Sequence, residues 1–152
     1  MPDALIAKIQ KAATFNQGFA TTEYLAAALL DLDWHTLTAP KPVDADAFEA
    51  ASLKKMGLIP EILPRYRSPY FAHSAGDYSA GYYSYIWSAV LDSDAFAAFQ
   101  EKGDLFHPAT AKAFRTYVLS KGGSDEAMTL YKRFRGAEPK IEPLLKKRGL
   151  LD

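Results

Sequence analysis

Apolar side chains recur at helical spacing along most of the chain. Leu5, Ile6, Ile9 and Ala13 follow Asp3 at such intervals and predict a capped helix through Phe15. Thr21 and Thr22 precede a second run, Glu23 to His35, rich in Ala and Leu, which are strong helix formers. Its apolar residues nearly circle the helix, so deep burial is expected. Pro40 and Pro42 end that run. Asp44 or Asp46 then starts a helix through Met56, stopped by Gly57. The pattern breaks over residues 58–77, where Pro60, Pro64 and Pro69 deny a regular helix. An irregular segment of about 20 residues is uncommon in a compact domain and tends to carry function. Helical spacing resumes near Tyr78 and runs to Asp92. A bend or restart is expected between Asp92 and Asp94, and Gly103 follows the end of that helix. Pro108 opens a helix to Lys121, closed by Gly122 and Gly123. Ser124 caps the next, ending at Gly136, and Pro143 opens a last short helix closed by Gly149. No strand alternation and no internal repeat is present. The expected fold is all-α, a single helical domain over residues 1–152 with roughly seven helices.

Composition narrows the class. Of 152 residues, 49% are apolar and 24% charged, which fits a globular chain and excludes a disordered one. No apolar stretch approaches the roughly 18 residues of a membrane span. The longest candidate, Tyr24 to Trp34, carries Asp31 and Asp33, so no membrane partner is expected. The opening residues lack the basic and apolar regions of a signal peptide. The chain has no cysteine, which points to a reduced, cytoplasmic setting. Charge is uneven: residues 1–111 hold 8 basic and 13 acidic side chains, residues 112–151 hold 10 and 4. The basic side chains there lack an interleaved aromatic platform, so solvated helix faces explain them and no nucleic-acid partner is expected.

Common catalytic signatures are missing. His35, His73 and His107 stand far apart, and none lies in a His-Glu-x-x-His helix that could hold zinc. No metal ligands are therefore assigned. No P-loop, dinucleotide fingerprint or nucleophile elbow is present. Ser52 and Lys55 match Ser-x-x-Lys on an ordinary helix without its companion motifs.

The informative segment runs from Phe71 to Trp87. Six of nine tyrosines lie between Tyr66 and Tyr85. On a helix starting at Tyr78, Tyr78, Tyr82 and Tyr85 fall within an arc of about 60°. Tyr83, Ile86, Trp87 and Val90 form the expected core face, and Gly81, Ser84 and Ser88 a small-residue face. A loop with His73 and Gly76 leads into the phenol stripe. Phenol and imidazole donors aimed at one point can stabilise an oxyanion or hold a peptide carbonyl.

These residues resemble the thimet oligopeptidase family of zinc metallopeptidases, most of all its bacterial peptidyl-dipeptidase (dipeptidyl carboxypeptidase) branch. The family pattern is His, a glycine-rich loop, then Tyr at the fifth, ninth and twelfth positions, matched by His73, Tyr78, Tyr82 and Tyr85. The likeness covers nearly the whole chain, including Thr14 to His35, Pro64 to His73, Leu130 to Gly136 and Glu142 to Leu150. The resemblance implies the C-terminal portion of a zincin-like helical catalytic domain with a deep channel and one zinc, whose His-Glu-x-x-His helix and third ligand, a Glu, lie upstream of this chain, with a metal-bound water attacking the peptide carbonyl. The complete enzyme would carry zinc, and none is expected on this chain. Within that scheme Tyr85, Tyr78 and His73 are the catalytic candidates, donating hydrogen bonds to the oxyanion or substrate backbone. Tyr82 and Gly76 are substrate-binding candidates, and Arg65 or Arg67 could meet a substrate carboxylate. Asp77 departs from the pattern, where a second glycine is usual, and His107 stands where an acidic or small polar cap is usual.

The implied partners are short peptides and the zinc-bearing part of the peptidase. Apolar surface left uncovered would promote self-association. The isolated chain is expected to be inactive. The alternative reading is a non-enzymatic helical module that binds peptides in the tyrosine-lined groove.

Overall fold

The computed structural model describes residues 1–38 and 43–151. Pro40 and Pro42, expected to end the second helix, lie outside the described residues. Among the described residues there are seven α-helices and no strand, so the protein is all-α. The chain packs as two compact units, Met1–Ile86 and Trp87–Asp152.

The first unit begins with α1 (Asp3–Ala13), α2 (Gln17–His35) and α3 (Ala45–Lys55). Asn16 adopts a left-handed conformation, φ 55°, which turns the chain sharply and lets α2 start ahead of the expected Thr21-Thr22 cap. Thr22 instead sits inside the helix, its hydroxyl donating to the Gly18 carbonyl at 2.8 Å. α2 does not bury its whole circumference. Ala26, Ala27, Ala28, Leu30 and Asp31 are buried, while Leu25 and Leu29 are exposed. α1 is amphipathic yet buries no residue, leaving Leu5, Ile6 and Ile9 exposed. Asp44 is the residue that caps α3, accepting from the Ala47 N–H at 2.9 Å, and Gly57 at φ 70° ends it. α3 packs on α2 through Trp34 and Phe48, whose ring centroids lie 4.0 Å apart. Ser52 and Lys55 both reach Asp33, at 2.7 and 3.1 Å.

α4 (Ser84–Gln100) starts in the first unit and continues into the second. Its expected interruption at 92–94 does not occur. Asp94 is buried and accepts from the Tyr131 hydroxyl at 2.6 Å and Arg135 Nε at 3.1 Å, which secures it inside a continuous helix. Arg135 also forks onto Glu101 at 2.8 and 2.5 Å. α5 (Pro108–Phe114) runs on into a π-helical turn, Arg115–Leu119. His107 caps α5 through Nδ1, which accepts from the Thr110 N–H at 3.3 Å. α6 (Ala127–Arg135) starts later than a Ser124 cap predicts, with Glu126 at the N-cap and no side-chain cap, and Gly136 at φ 82° ends it. α7 (Glu142–Lys147) carries Pro143 in its first turn. Phe114 packs between Phe99 and Phe134, at 6.2 and 5.2 Å.

Candidate functional site

The proline-bearing segment after α3 is fixed to the first unit by a few strong contacts. A single 3₁₀ turn, Ser68–Tyr70, follows Arg67. Trp34 Nε1 donates to Ser68 Oγ at 2.9 Å. Glu49, with 1% of its surface exposed, accepts from the Ser68 N–H at 2.7 Å and from Arg67 Nε. The Glu49 carboxylate holds the Arg67 guanidinium above its ordinary range, and Asp46 lies 3.9 Å away. Phe71 then enters the core, packing with Ala27, Ala28 and Tyr82.

From Phe71 to Tyr85 the backbone closes a series of tight i to i+3 turns. Gly76 donates to the His73 carbonyl, Ser79 to Gly76, Gly81 to Tyr78 and Ser84 to Gly81, at 2.7–3.3 Å. The helix expected from Tyr78 therefore begins only at Ser84. Two features block an earlier start. Ala80 takes a left-handed conformation, φ 56°, incompatible with a right-handed helix. Asp31 also draws the N–H groups of Ala80 and Tyr82, at 3.3 and 3.1 Å, away from helical partners. The change of phase alters the faces. Tyr83 and Trp87, expected in the core, are exposed, and Tyr82 is buried. A Cβ at Gly76 would stand 3.0 Å from the Ala72 carbonyl oxygen, so this turn has little room for a larger residue.

The turns bring the phenols and the imidazole together without a helix. His73 lies 5.6, 5.3 and 6.1 Å from the ring centroids of Tyr78, Tyr82 and Tyr85. Tyr78 and Tyr85 stack at 5.6 Å, and Tyr82 meets Tyr85 edge-on at 5.4 Å. Tyr78 and Tyr85 remain 46% and 44% exposed, and Tyr82 only 3%. Tyr82 thus supports the cluster from beneath, its ring stacked on Tyr24 at 5.1 Å. Tyr24, Arg65, Tyr66, His73, Tyr82 and Tyr85 line an open depression of about 270 Å³. The Arg65 guanidinium lies 5.8 Å from the Tyr66 ring centroid and has no carboxylate partner among the described residues. Arg67, by contrast, is committed to Glu49.

Three of the phenols are held above the ordinary tyrosine range. The Tyr78 hydroxyl raises the Tyr85 phenol above its usual value, and desolvation adds to this. Burial raises Tyr82. Burial, then the Tyr82 phenol, push Tyr24 up to about 12. The exposed pair, Tyr78 and Tyr85, can donate to a carbonyl or an oxyanion.

Residues 1–150 match the sequence profile of Peptidase family M3. The chain belongs to that family. Dipeptidyl carboxypeptidase of Escherichia coli is 44% identical over 99% of this chain, and that of Salmonella typhimurium 43%. Oligopeptidase A of Haemophilus influenzae is 34% identical over the whole chain. The chain spans 22% of the length of each of these M3 relatives. The zinc that M3 membership implies finds no ligand set here: among the described residues no three His, Cys, Asp or Glu side chains converge to hold a metal ion.

The M3 pattern of spaced tyrosines marked the cluster without its geometry. Local spacing did not disclose Asp31 or Tyr24. A carboxylate in the middle of an apolar run was the one available signal, and its partners lie 49 and 51 residues away.

Proposed function

We propose that this chain forms the peptide-binding wall of an M3 peptidase, holding short peptides against the phenol-lined depression. The observation that carries this reading is the convergence of His73, Tyr78 and Tyr85 at a surface edge beside Arg65. Tyr85 and Tyr78 donate hydrogen bonds to the substrate backbone or to the oxyanion that develops at its carbonyl. His73 adds an imidazole donor from the loop. Gly76 gives the loop its tight turn, and Tyr82 holds the reactive rings from below. Arg65 supplies positive charge for a peptide's terminal carboxylate, and the Arg67–Glu49 pair fixes the segment that presents it. The higher identity to the dipeptidyl carboxypeptidases supports the peptidyl-dipeptidase form of the reaction, in which a free C-terminus must be recognised.

The chain supplies binding and orientation; the zinc site and the hydrolytic water belong to polypeptide beyond it. Alone, it binds peptides and hydrolyses none. The exposed apolar ridge of α1 is the surface for that further polypeptide, and without it the ridge promotes self-association. A cysteine-free chain suits a reducing, cytoplasmic setting. No helix among the described residues is long and apolar enough to cross a membrane.

Calorimetric titration of the chain with a short peptide tests this, using the free acid and the C-terminal amide. The free acid is expected to bind about tenfold more tightly, or about 1.4 kcal/mol. No heat with either peptide at millimolar concentration removes the reading. Equal affinity for both removes the role of Arg65.

A further inference from the structure

Asp31 is completely buried, carries an acidic side chain, and takes no direct part in the depression. Its two oxygens are both engaged by the phenol turn. Oδ1 accepts from the Ala80 N–H at 3.3 Å and Oδ2 from the Tyr82 N–H at 3.1 Å. His35, one turn further along α2, brings Nδ1 to 3.2 Å from Oδ1 and 2.7 Å from the Asp31 carbonyl oxygen. A nitrogen facing two oxygens must carry a proton, so Oδ1 meets a second donor. Every group around the carboxylate in these contacts is a donor, a role only an acceptor-only side chain can answer.

Tyr24 closes the other side. It lies two turns before Asp31 on the same face of α2, and its hydroxyl donates to the Tyr82 carbonyl at 2.6 Å. Residue 82 is therefore gripped at both its N–H and its C=O by one helix. The grip falls between Tyr78 and Tyr85, and it includes the left-handed Ala80.

We propose that Asp31 is a positioning residue for the phenol cluster, with Tyr24 as its counterpart: together they set the backbone of residues 80–82 so that Tyr78 and Tyr85 stack beside His73. The inference rests on reading this cluster as the peptide-binding surface. An asparagine at position 31 keeps the shape but turns an N–H₂ toward a backbone donor, and the turn loses one of its anchors.

The test uses nuclear magnetic resonance of the full chain, comparing wild type with Asp31→Asn, Tyr24→Phe and Asp33→Asn. The readouts are the amide proton shifts of Ala80 and Tyr82, the cross-relaxation between His73 and the Tyr78 and Tyr85 rings, and affinity for a short free-acid peptide. In Asp31→Asn the two amide protons are expected to move upfield, the ring contacts to weaken, and affinity to fall about tenfold. Asp33→Asn, which alters contacts to α3 instead, should lower stability and leave the ring contacts in place. Unchanged ring contacts in a folded Asp31→Asn overturn the proposal. If that variant does not fold, Tyr24→Phe decides, and unchanged ring contacts there overturn it equally. The ring contacts need no ligand. A chain that loses them on substitution but binds no peptide as wild type keeps Asp31 in this role and removes only the peptide-binding reading.

Discussion

Tyr85 and Gly76 make opposite demands on the chain. The Tyr85 ring is 44% exposed, and its hydroxyl serves no buried partner. Tyr85→Phe should therefore leave the folded state within about 0.5 kcal/mol of wild type, as read by thermal unfolding. In an M3 peptidase carrying this segment, the same change should lower kcat by about 10²–10³-fold with its metal content intact. Unaltered turnover would show that the phenol donates nothing to the transition state. Gly76 is structural in a stricter sense. Its missing Cβ leaves room for the Ala72 carbonyl, 3.0 Å from where that atom would stand. Gly76→Ala should cost about 1 kcal/mol and disturb the resonances of His73 more than those of α3.

The elements differ in how openly the sequence declares them. α3 was readable from Asp44 and Gly57, and α5 from Pro108, because caps and breakers act on their own neighbours. The tyrosine cluster was visible as composition and spacing. Its support was not. The Asp31 contacts and the Arg67–Glu49 pair join residues far apart in sequence, and a local window shows only that Asp31 interrupts an apolar run, not what it holds. The late start of α4 has the same origin, since a distant carboxylate overrides the local helical pattern at residues 78–83. Two pH effects follow from the paired groups. Tyr24 has its folded value pushed up to about 12 from 10.0, so the stability it contributes is present below pH 10.0 and is lost as pH rises toward 12. Tyr24→Phe should flatten that alkaline decline in denaturant-unfolding free energy. In the second unit, Arg135 holds Glu101 below its ordinary 4.5. The stability from Glu101 is present above 4.5 and fades as pH falls through its lower folded value. Arg135→Lys loses the fork onto Glu101 and should destabilise the second unit by about 1–3 kcal/mol at neutral pH, with a smaller further loss on acidification.

At the scale of the whole molecule, uncovered apolar surface stands out. α1 buries none of its residues, and Phe15, Phe106 and Leu119 are also exposed. Patches of this kind favour association in water. Sedimentation velocity should find the chain's mean mass rising with concentration, and Leu5→Lys with Ile9→Lys should reduce that rise while leaving helicity unchanged. A concentration-independent monomer would remove α1 as an interaction surface. The double grip on residue 82 has a different consequence. Because the N–H and C=O groups of that turn are satisfied in the absence of any ligand, a peptide meets a surface whose conformational entropy has already been spent during folding. Capture should then resemble a key entering a finished lock: one kinetic phase, with an observed rate that climbs linearly with peptide concentration.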